Sequence, residues 1–112
     1  MSTMRTRADP AMLKALGRSF RWKRMLETGR YGSISEIAAA ETIDRGYVGS
    51  ILRLTLLAPD IIEAILDGRQ AEDLGLPRLL EPFPLEWSEQ RRELSRAAQH
   101  NDPVRQSRVN VQ

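Results

Sequence analysis

The chain has 112 residues, 41% of them hydrophobic and 29% charged, with a net charge of +2 and no cysteine. One domain is the default at that length, and the balance of apolar and charged residues suits a folded domain rather than a disordered one. Disulfides, thiolate metal sites and a cysteine nucleophile are excluded, which fits a reducing, cytoplasmic setting.

No apolar run approaches the ~18 residues of a membrane span, and Met1 to Arg5 leads into no signal-peptide core. Residues 1–8 lack periodicity and are expected to be a flexible N-terminus. Asp9-Pro10 opens a helix, because aspartate caps and proline is tolerated at the first helical position. Leu13, Leu16, Phe20, Trp22, Met25 and Leu26 follow at helical spacing to about Thr28, with Gly29 as the stop. Arg18, Arg21, Lys23 and Arg24 decorate this helix, and both Trp22 and Trp87 are expected to fill the core or its rim.

Ser33-Ile34-Ser35-Glu36 reads as a capping box, opening a short alanine-rich helix to about Glu41. Thr42-Ile43 forms a corner. Asp44 caps a further helix expected to run over 44–56. On a helical wheel this helix packs by Val48, Ile51 and Leu52 and turns Gly46, Gly49, Ser50 and Arg53 outward, with Arg45 and Tyr47 at the flanks. Pro59 then interrupts and opens a helix with Ile61, Ile62, Ile65 and Leu66 on one face, ending at Gly68. A short helix is expected over 77–81, "PFPLEW" is a proline-stiffened turn, and a last helix over 86–98 is anchored by Trp87, Leu94 and Ala98. Residues 99–112 are expected to be a flexible tail. The expected fold is all-α, a small multi-helix bundle spanning 9–98 and containing a helix-turn-helix.

The charge is unevenly divided. Residues 1–30 hold eight Lys/Arg against two acids, 31–90 hold four against eleven, and 91–112 hold five against two. Basic ends that meet a polyanion and basic ends that are simply solvated both fit this division.

Small Ala38, the apolar corner plug Ile43, and then Val48 and Ile51 meet the packing requirement of a helix-turn-helix. The second helix of such a unit enters the major groove of double-stranded DNA, led by its N-terminal residues. There Arg45 can fork onto guanine, and Ser50 can reach a base or a phosphate. Amides near Ile34 and Ser35 can hold a phosphate. Arg18, Arg21, Lys23, Arg24 and Arg30 would add salt-sensitive phosphate contacts. Tyr47 is expected to pack on the preceding helix, with a phosphate bond from its hydroxyl as the alternative.

Residues 34–54, "ISEIAAAETIDRGYVGSILRL", together with "LAPDIIEAILDGRQ" (57–70), resemble the helix-turn-helix of the ParB/KorB group of DNA-binding proteins. The stretches "RWKRMLETGRY", "IAAAETIDRGYV", "LRLTLLAPDI" and "PFPLEW" resemble the small helix-turn-helix proteins associated with large serine recombinases in bacterial mobile elements. The likeness covers about two-thirds of the chain. It implies a DNA-binding regulator, or an accessory factor of a recombinase or partition-type system. Two departures stand out. The corner position usually held by glycine is Thr42, and a β-branched residue at positive φ is costly, which leaves room for another corner geometry. The family usually carries side chains where this helix has Gly46 and Gly49, each costing about 1 kcal/mol relative to alanine. A bare face lets a backbone approach DNA closely while reading few bases; a copy that has lost binding would look the same.

Catalysis is not expected. The one histidine, His100, lies in the tail, no phosphate-cradling glycine loop occurs, and no acid pair stands out as a general acid and base. No cofactor or metal is implied. The alternative to DNA binding is a protein-interaction adaptor, in which the helix at 60–67 and "PFPLEW" dock a larger enzyme such as a recombinase. A homodimer is a further possible partner arrangement, with residues 85–98 the best candidate interface.

Overall fold

The computed structural model describes residues 8–71 and 73–94. The described residues form six helices: α1 (Pro10–Glu27), α2 (Ile34–Glu41), α3 (Arg45–Leu52), α4 (Pro59–Leu66), α5 (Leu76–Leu80) and α6 (Trp87–Leu94), with a 3-10 turn over Arg53–Leu56 between α3 and α4. No strand occurs among the described residues, and none of their helices is long and apolar enough to cross a membrane. The class is all-α.

α1 is the platform. The Asp9 carboxylate accepts from the Ala11 and Met12 amides at 2.9 and 3.4 Å, satisfying donors that no helical carbonyl can reach. Met12, Ala15, Leu16, Ser19 and Trp22 are buried along one face, and α1 packs there against α3, the 3-10 turn, α4 and α5. The expected inward position of Phe20 is corrected: it lies at the edge of this face and is 43% exposed. Ser19 goes inside instead. Its hydroxyl donates to the Leu16 carbonyl at 2.7 Å, so its burial leaves no unpaired donor. Gly29, at φ 83, terminates the helix as expected.

Trp22 is fully buried, with the Arg18 guanidinium 5.8 Å from its ring centroid. Trp87, by contrast, is 48% exposed at the rim. On α4, Ile61 and Ile65 are buried, while Leu66, expected on the same face, is 53% exposed at the helix end. The last helix is held by a residue with no apolar character. Gln90 is fully buried. Its Oε1 accepts from the Ala58 amide at 2.8 Å, and its Nε2 donates to the carbonyls of Leu56 at 3.1 Å and Pro84 at 2.9 Å. The Ala58 and Leu56 groups lie where Pro59 breaks the chain between the 3-10 turn and α4, and the Pro84 carbonyl lies in the proline turn before α6. Leu94 is the expected buried anchor; Ala98 and the remainder of the expected helix lie outside the described residues.

Candidate nucleic-acid interface

The site is built on α2, the corner and α3. α2 opens through the capping box: the Glu36 amide donates to the Ser33 hydroxyl at 3.2 Å, and the Glu36 carboxylate reaches back to accept from the Gly32 amide at 2.7 Å. Ile37 and Ala38 face the core. α2 then ends on Thr42 at φ 58, ψ 48, the one non-glycine residue at positive φ among those described.

The left-handed corner therefore forms despite the β-branched side chain. Two backbone bonds fix it. The Thr42 amide donates to the Ala39 carbonyl at 3.3 Å, and the Ile43 amide donates to the Ala38 carbonyl at 2.9 Å. This is the Schellman pattern, normally served by glycine. Ile43, the residue after the turn, packs against the core cluster, and that apolar contact anchors the corner. Asp44 follows at once as the cap of α3, its carboxylate accepting from the Tyr47 amide at 3.1 Å. The chain is held on both sides of Thr42, which offsets a local cost of roughly 1–2 kcal/mol.

α3 packs inward by Val48 and Ile51, both fully buried, with Leu52 half-buried beside them. Arg45 and Gly46 are exposed in its first turn, and Gly49 and Ser50 are half-buried one turn on. A Cβ added at Gly49 would meet nothing within 4 Å, whereas one at Gly46 would lie 3.0 Å from the Asp44 cap carboxylate. Packing within the chain thus gives no reason for glycine at position 49. Tyr47 is half-buried and packs against the core.

Arg53 departs from its expected place. The α-helix stops at Leu52 rather than continuing to Leu56, and the 3-10 turn that follows winds more tightly. The Arg53 side chain is half-buried, and its Nη2 donates to the Leu80 carbonyl at the end of α5, at 3.4 Å. Its Nε is buried without a partner.

The remaining basic positions lie on α1 and the loop after it. Arg21, Arg24 and Arg30 are exposed, as is Arg45, and among the described residues none of the four makes an ion pair. Lys23 is paired with Glu27 at 3.4 Å. Arg24 and Phe20 border a shallow, open depression of about 440 Å³ on the outer face of α1. Ser35 is exposed in the first turn of α2.

Sequence reasoning missed Gln90 and the Arg53–Leu80 contact. Gln90 reaches Ala58 and Leu56 across more than thirty positions and Arg53 reaches Leu80 across 27, and neither residue type signals burial. No protein-family model, curated protein or solved structure matches this chain. What the chain does is therefore read from the corner and α3 themselves.

Proposed function

We propose that this protein binds double-stranded DNA, with α2, the corner and α3 acting as a helix-turn-helix and α3 entering the major groove. One observation carries the reading. Thr42 is held left-handed and Ile43 is half-buried against the core, so α3 buries Val48 and Ile51 while Arg45 and Gly46 face outward. A groove-reading helix needs that division. Arg45 is the base-reading arginine at the leading end of α3, and Ser50 is the second polar contact. Gly46 and Gly49 let the helix backbone come close to the duplex. Arg21, Arg24 and Arg30, which make no ion pair among the described residues, supply phosphate contacts, and Ser35 adds one at the start of α2. A regulator, or an accessory factor of a recombinase or partition-type system, is the biological role in keeping with this reading.

The test is selection from a randomised duplex pool, repeated with Arg45→Ala. Enrichment of a common sequence by the wild type, lost in the variant, is the expected outcome. Retention of every duplex alike by both proteins would remove the base-reading role.

A second reading, the adaptor, draws on a different observation. Leu85 is 65% exposed, Leu56 and Trp87 are nearly half exposed, and the Trp87 indole N–H donates to the Leu56 carbonyl at 3.3 Å. Exposed apolar side chains clustered in this way suit a protein partner. Co-purification with a recombinase in the absence of nucleic acid, with no retardation of any duplex at low salt, would favour it over DNA binding.

A further inference from the structure

We infer that Arg53 is parked in the free protein and swings out along the glycine strip of α3 to take a phosphate of the DNA backbone. The inference rests on the DNA-binding reading above and gives Arg53 a role different from base recognition.

The parked state is poorly satisfied. Arg53 is half-buried, yet among the described residues it makes no ion pair. Its bond to the Leu80 carbonyl is 3.4 Å long, beyond the usual range for an N–H donor, and its Nε is buried with no acceptor. A guanidinium is an obligate cation with a fork of donors. Holding it half out of water against one neutral carbonyl costs solvation that no carboxylate returns. An anion within reach would satisfy it better than Leu80 does.

The path to such an anion is open. Arg53 continues the helical line of Gly46, Gly49 and Ser50, and its backbone is still helical at φ −64, ψ −19. Side chains on a helix lean toward the preceding turn, so the second route for Arg53 lies over Gly49. The space a Cβ would occupy at Gly49 is empty to 4 Å, so no side chain at that position stands in the way. At the far end of α3 from the leading turn, the groove wall rather than its floor comes within reach, and the wall is phosphate.

The experiment measures duplex affinity against salt for the full chain, for Arg53→Gln and for Arg53→Lys, on a selected and on a random duplex, alongside thermal melting without DNA. If Arg53 takes a phosphate, Arg53→Gln lowers the slope of log affinity against log salt by about 0.9. It weakens both duplexes by the same factor, about tenfold, and leaves the melting temperature close to wild type. Arg53→Lys keeps the slope. An unchanged slope with a lowered melting temperature would make Arg53 a strut between α3 and α5 and overturn the proposal. So would a loss confined to the selected duplex, the signature of a base reader. Failure of the wild type to bind any duplex at low salt sinks the DNA-binding reading itself, before any variant is compared.

Discussion

At Thr42 and Gly49 the chain makes opposite departures from local preference. Thr42 is a β-branched residue in a conformation that glycine holds freely, as Gly29 and Gly68 do at the ends of α1 and α4. Replacing it with glycine relieves roughly 1–2 kcal/mol of strain and returns about 0.4–1 kcal/mol through the looser unfolded chain. Thr42→Gly is therefore expected to stabilise the protein by about 0.5–1 kcal/mol, read as a higher denaturant midpoint with an unchanged m-value; destabilisation would show that the threonine side chain itself holds the corner. Gly49 is the reverse case, a glycine inside a helix where alanine has room. Gly49→Ala is expected to add about 0.5–1 kcal/mol of stability. If the helix backbone lies close against DNA, the same methyl weakens duplex binding. A variant that melts higher yet binds less would separate a partner's demand from the fold's own. Gly46→Ala should gain less, because its methyl would crowd the Asp44 cap at 3.0 Å.

Among the elements, the junction of the 3-10 turn, α4 and α6 depends on one amide side chain. Gln90→Ala would leave the Ala58 amide and the Pro84 carbonyl without the partner that Gln90 now gives them, at about 1–3 kcal/mol for each buried group. A loss of about 2–4 kcal/mol in chemical denaturation is expected, and a change below about 1 kcal/mol would mean that water replaces the amide. A second tie between α4 and α6 is electrostatic. Arg91 grips Asp60 through both carboxylate oxygens at 2.9–3.2 Å and holds that carboxyl below its usual range, against an opposing effect of burial. A depressed carboxyl contributes stability above its unfolded value of 3.8 and loses it as pH falls through the lower folded value. Both side chains are solvent-exposed, so the effect is small and screened by salt. Asp60→Asn should lower stability slightly at neutral pH and change little once pH has fallen through the folded value, where the carboxyl is protonated in both states, so that the acid limb of the stability profile flattens. What could be read from the residues alone follows the same divide. The capping box at Ser33, the Asp44 cap and the Pro59 break are bonds among residues a few places apart, so the sequence carries them whole. Gln90 meets Ala58 across 32 positions and Arg53 meets Leu80 across 27. Those partners exist only once the helices have packed. The choice of Ser19 over Phe20 for the interior also awaited packing, since neighbouring positions on α1 compete for one edge of the same face.

For the molecule as a whole, the arrangement of charge is more telling than its small sum. Several carboxylates are spent on pairs within the fold: Asp60 with Arg91, Glu89 with Arg92, Asp67 with Arg69, and both Glu81 and Glu93 with Arg78. Arg21, Arg24 and Arg30 are left without such partners among the described residues. Neutralising these three therefore breaks no ion pair among the described residues, yet it removes the cations best placed to displace counterions from a duplex. If each meets one phosphate, the triple change of Arg21, Arg24 and Arg30 to glutamine lowers the slope of log affinity against log salt by about 2.7. It should do so equally on selected and random DNA, because phosphates carry no sequence. The melting temperature should stay within about a degree or two of wild type, as expected of surface changes that break no pair. A triple variant with the wild-type slope would mean that the duplex is held by α2 and α3 alone, with α1 a platform for the corner and no part of the binding surface.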